Sequence, residues 1–147
     1  KNYAEKWKIM NNLNRREARD QAFSLVFEYR FHSGDSPEEI YQNALSEREL
    51  VGDEHTKAVF FGVIEHIEQI DKAIEDCSAS WKISRISRVS LAALRVAIFE
   101  MLYLAKVSHA VAINEAVEIT KRYEGKDASS FVNGILGTIS KKHPEEA

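Results

Sequence analysis

Apolar residues recur every three to four positions along almost the whole chain, and nowhere do they alternate long enough to suggest a strand. The first stripe is Ala18, Ala22, Leu25, Val26 and Tyr29, one face of a helix over about 15–31. Asn14 suits its N-cap, and Glu17 stands three residues on, where a capping-box carboxylate belongs. "HSGDSPEE" then breaks the pattern. Ser36 as N-cap, Pro37 at the first helical position and Glu39 as box partner start a second helix over about 37–46. Phe60, Val63, Ile64, Ile67, Ile70 and Ile74 predict one longer helix over about 54–77. The stretch 78–87 is a break with a short helical turn.

Beyond the break, Val89, Leu91, Leu94, Val96, Ile98, Phe99, Met101 and Leu102 make a helix over about 88–105 apolar on most sides, hence central and buried. Ile113, Ala116, Val117 and Thr120 mark a fifth helix over about 110–123, stopped by Gly125. Val132, Ile135, Leu136 and Ile139 mark a sixth over about 128–141. The pattern predicts an all-α fold of about six to seven helices, with the break near 78–87 dividing two small bundles over 14–78 and 79–142. Residues 1–13 lack a stripe and read as an N-terminal extension, appended or disordered, with Met10 an alternative initiator; residues 143–147 read as a tail.

At 147 residues and 44% hydrophobic content, the chain can fill one domain core. No apolar run reaches the ~18 residues of a membrane span, and no export signal is visible. The single cysteine, Cys77, cannot form an internal disulfide, so a reducing cytoplasm is the expected home. Net charge is −3, but unevenly spread. Residues 1–34 hold seven basic against four acidic residues, 35–80 hold three against twelve, and 81–147 hold ten against seven. Two basic ends flank an acidic middle, which permits a local basic patch despite the mildly acidic total.

Catalytic and metal chemistry find no foothold in the pattern. None of His32, His55, His66, His109 and His143 pairs with another ligand at a zinc spacing, and all read as surface or hydrogen-bonded histidines. Carboxylates fall on predicted solvent faces. No phosphate-cradling or nucleophile-elbow motif occurs, and the two glycines of "NGILG" read as close helix packing. The expectation is a protein that is not an enzyme and needs no metal or cofactor.

The first helix says more. At ~100° per residue, with Arg16 at zero, the apolar stripe centres near 220–230°. Arg19, Arg30, Phe23, Arg16 and Phe27 then share an edge from roughly 300° to 20°, while Arg15, at roughly 260°, points back toward the stripe. Arginine neutralises phosphates and stacks, and aromatic rings give bases a surface. The alternative is that both phenylalanines pack on a neighbouring helix while the arginines reach outward along their aliphatic stems. On either reading Phe23 is the core member and Phe27 the rim residue. A second basic cluster, Lys121, Arg122 and Lys126, lies near Phe131, one residue off the apolar face of the last helix.

The blocks "NRREARDQAFSLVFEY", "SLAALRVAIFEMLYL" and "VAINEAVEITKRYEGKDASSFVNGILGTI" resemble the NusB family of bacterial transcription antitermination factors, over residues 14–142. The resemblance implies an all-helical fold of two small bundles that is not an enzyme. It implies binding to boxA RNA together with NusE, a ribosomal protein of the small subunit. It also implies action with other Nus factors and RNA polymerase on ribosomal RNA operons, with no membrane involved. Some members form homodimers, which would mask the same arginine face. The family's arginine-rich motif corresponds to Arg15, Arg16 and Arg19, and its aromatic two turns on to Phe27, where some relatives carry tyrosine. The loop before the last helix corresponds to Lys126 and Asp127, and the aromatic after it to Phe131. Asp127 reads equally as a helix cap. Asn114 is expected to be a structural hydrogen-bonding residue, and the protein partner to dock on the second half.

Two other readings compete. A similar helical domain precedes the catalytic part of some ribosomal-RNA cytosine methyltransferases, but no Gly-rich cofactor-binding turn occurs in this chain. A protein-only adaptor would keep its partner function when Arg16 and Arg19 are both replaced by glutamate.

Overall fold

The computed structural model describes residues 13–29, 34–78 and 82–145. The expected extension over 1–13, Leu13 apart, lies outside them, as do Arg30, His32 and the last two residues of the tail. Among the described residues the fold is all-α. Seven α-helices follow in order: α1 (Arg15–Glu28), α2 (Pro37–Glu47), α3 (Glu54–Glu65), α4 (Ile67–Cys77), α5 (Arg88–Tyr103), α6 (His109–Glu124) and α7 (Lys126–Lys142), with a 3-10 turn at Ile83–Arg85. None of these helices is long and apolar enough to cross a membrane.

Both predicted capping boxes form. Asn14 Oδ1 accepts from the Glu17 N–H at 2.8 Å, and Glu17 Oε1 accepts from the Asn14 N–H at 3.0 Å. Ser36 and Glu39 exchange the same pair of bonds at 3.1 Å each, with Pro37 opening the helix. Ser87 and Ser108 accept from backbone N–H groups at the starts of α5 and α6 in the same way.

The long helix expected over 54–77 is two helices. His66 ends α3 with φ −109° and ψ 19°, and α4 starts at Ile67. Its ring lies 4.1 Å from that of Tyr103 and 5.9 Å from that of Phe99. Apolar periodicity runs through the break because it records faces, not backbone hydrogen bonds. The chain divides into two compact units between Ile64 and Glu65, rather than at the expected boundary near 78.

In the first unit, Ala18, Ala22, Leu25 and Val26 of α1 join Ile40 and Ala44 of α2 and Val59, Phe60 and Val63 of α3 among the buried residues. Gln21 ties α1 to the segment before α3. Its Nε2 donates to the Val51 carbonyl at 2.9 Å and to Thr56 Oγ1 at 3.1 Å, and its Oε1 accepts from the Val51 N–H at 2.9 Å.

In the second unit α5 is central, as its apolar pattern predicts, and packs on α4, α6 and α7. Arg95 grips Asp71 of α4 with two parallel bonds of 2.9 and 2.8 Å. His109 is buried: Nε2 faces the Met101 carbonyl at 3.3 Å, and Nδ1 lies 2.9 Å from Ser140 Oγ. A carbonyl can only accept, so Nε2 donates to it, and the serine hydroxyl, which can donate or accept, pairs with Nδ1. The tail takes part in this unit too, since Glu145 Oε1 accepts from the His109 N–H at 2.5 Å.

Three further expectations are corrected. Glu100 is fully buried and Glu115 nearly so, rather than solvent-facing. The buried face of α6 runs through Ala112, Ala116 and Ile119, which leaves Asn114 exposed instead of hydrogen-bonded among apolar neighbours. A Cβ built on Gly134 or Gly137 would meet nothing within 4 Å, so neither glycine serves close packing.

Candidate nucleic-acid interface

On the first unit the surface is built by α1. Arg15 and Arg16 are exposed in its first turn, where the helix dipole disfavours cations by roughly 0.3–1 kcal/mol each. The capping box offsets that cost by satisfying backbone groups at the same end. The Arg15 guanidinium donates to Nδ1 of buried His55 in α3. The wheel angle of Arg15, back toward the stripe, thus becomes an anchor rather than a burial. Phe27 is half-buried and stacks on buried Phe23, ring centroids 6.3 Å apart and planes 29° from parallel. Phe23 is the core member and Phe27 the rim residue, as the wheel predicts.

Arg19 departs from expectation. It is 3% exposed, so it does not present its guanidinium to solvent beside Arg16. The reason is visible on the wheel: Arg19 falls about 20° from Val26, itself a core residue, on the inner margin of the arginine edge.

On the second unit the surface is the corner between α6 and α7. Lys121, Arg122, Tyr123 and Glu124 are all exposed at the end of α6. Gly125 alone makes the turn, with φ +93° and ψ −170°, a conformation essentially reserved for glycine. Lys126 and Asp127 therefore form the first turn of α7 rather than a loop before it. Asp127 is exposed, on a helix whose N-cap is Gly125 and carries no side-chain bond. Its charge suits the positive helix end. Phe131 follows one turn on, half-buried.

Sequence patterning missed two parts of this corner. Glu124 Oε1 accepts from the hydroxyls of Ser87 at 2.7 Å and Ser90 at 2.9 Å, which draws its charge toward the start of α5. The Arg122 guanidinium lies 5.7 Å from the Tyr123 ring centroid. The run "KRYEGK", an aromatic among cations, carried that second signal.

Fold and surfaces together define a class: an all-α protein whose helices carry exposed arginines and lysines along with surface aromatic rings, residue types that hold single-stranded nucleic acid. Within that class the chain belongs to the NusB family, whose model matches residues 16–141. It is 43% identical to the transcription antitermination protein NusB of Acetivibrio thermocellus over 131 residues, 88% of this chain and 90% of that relative. The NusB of Ruminiclostridium cellulolyticum is 37% identical over the same share of each. Among solved structures, T. maritima NusB superimposes with a TM-score of 0.78 at 32% identity, covering 88% of this chain and 92% of that one. A crystal structure of the antitermination factors NusB and NusE in complex with dsRNA gives 0.77 at 29% identity, covering 88% and 97%.

Proposed function

We propose that this chain is an RNA-binding transcription antitermination factor that works together with NusE. One observation carries the reading: the first helix of this NusB-family chain carries exposed Arg15 and Arg16 in its first turn and, about three turns on, a half-exposed Phe27 stacked on Phe23. Arg15 and Arg16 neutralise phosphates, and Phe27 offers its ring to a base. At the other surface Lys126 meets the backbone, Phe131 stacks, and Asp127 accepts from base amino groups. Arg19, buried, acts as a positioning residue beneath the face rather than as a contact. The RNA is of boxA type, the setting ribosomal RNA operon transcription in the cytoplasm with other Nus factors and RNA polymerase. Such a role is one of binding and asks for no catalysis, metal or cofactor.

The test is affinity for a boxA-like oligonucleotide and a scrambled control, each with and without the small-subunit protein. The boxA-like RNA is expected to bind tighter, and more so with the partner present. Equal binding of the two RNAs would refute the specific reading.

A further inference from the structure

The corner between α6 and α7 holds an aromatic residue to which the reading above gives no part. Tyr123 is 59% exposed, more than any other large apolar side chain among the described residues. It stands in the last turn of α6, with the Arg122 guanidinium over its ring, exposed Lys121 two residues before it and exposed Lys126 three residues after it. Of the two acids close by, Glu124 is held by the Ser87 and Ser90 hydroxyls and Asp127 lies past Gly125.

We infer that Tyr123, backed by Arg122, is a stacking platform for a base of single-stranded RNA. The inference rests on the RNA-binding reading and adds a contact to it. A guanidinium near a ring face attracts it electrostatically and limits the orientations of both. A base can then lie against the solvent side of the ring while Lys121, Arg122 and Lys126 meet the phosphates on either side of it. Every base has a π-face, so such a platform adds affinity without choosing sequence. That separates it from Asp127, whose carboxylate can discriminate between base edges.

The experiment measures binding of the full chain to the boxA-like and scrambled oligonucleotides by fluorescence anisotropy, with melting followed by circular dichroism. Tyr123→Ala is expected to weaken both RNAs by the same factor, about five-fold or more, the lower end of a stacking contribution. Tyr123→Phe is expected to bind like the parent, and neither variant to melt earlier. Ultraviolet crosslinking of the unsubstituted protein should place RNA on the peptide that holds Tyr123. Parent-like affinity in Tyr123→Ala would overturn the inference. So would a loss confined to binding of the small-subunit protein, which would assign the ring to a protein partner. If the parent itself binds neither RNA, the RNA reading falls as well, an outcome distinct from failure of the platform alone.

Discussion

Arg15 and Arg19 belong to one motif but meet opposite surroundings. Arg15 is exposed and braced against His55, whereas Arg19 is buried along its length. Replacing exposed Arg16 of the same motif and buried Arg19 in turn should therefore separate binding from stability. Arg16→Ala is expected to weaken RNA binding and leave thermal melting unchanged. Arg19→Ala is expected to cost about 1–2 kcal/mol of stability in denaturant titration, because the packing of its aliphatic stem is lost with the charge. Phe27→Ala should weaken RNA binding without unfolding the protein, since Phe23 and not Phe27 fills the core. Tyr41 gives a pH effect of known sign. Burial pushes its phenol above the ordinary 10.0, a backbone hydrogen bond at Asp53 opposes this, and the Asp53 and Glu54 carboxylates add to it. The fold thus favours the neutral phenol. Its contribution is whole below the unfolded value of 10.0 and is lost as pH rises through the higher folded value. Alkaline melting curves of Tyr41→Phe should fall less steeply with pH than those of the parent.

At the scale of elements, the helix starts are set by local side-chain chemistry and the turns by backbone freedom. Asn14→Ala is expected to destabilise the first unit by about 1 kcal/mol, read by denaturant midpoint, through loss of the α1 cap. Gly125 is a sharper case. A methyl group there would meet nothing within 4 Å, so crowding is not the constraint. The positive φ is, and Gly125→Ala is expected to cost about 1–3 kcal/mol from backbone strain alone. The starts of α1 and α2 were legible because caps are written in consecutive residues. The break at His66 was not, because no glycine or proline marks it and its ring packs on residues far along the chain.

Across the whole molecule, a net charge of −3 conceals basic residues gathered toward both ends of the sequence. Binding to RNA should therefore weaken with added salt despite the acidic total. The logarithm of affinity is expected to fall with the logarithm of salt by about 0.7 for each phosphate neutralised on a single strand. Arg16→Gln should reduce that slope by about one contact. A slope indistinguishable from zero would argue that the arginines do not meet phosphates.

The sequence by itself determined the all-α class, the caps, the central place of α5 and the family, because helical periodicity, capping boxes and motif blocks are short-range properties of the chain. It also ranked Phe23 against Phe27 correctly, since both lie on one helix and a wheel orders them. Tertiary structure alone decided that Arg19 is buried, that Arg15 leans on His55 and that Glu100 lies in the core. It alone turned Glu124 toward Ser87 and Ser90 and left Tyr123 in solvent. Each of these depends on which residues from distant parts of the chain close over a side chain, and a helix wheel carries no record of its neighbours.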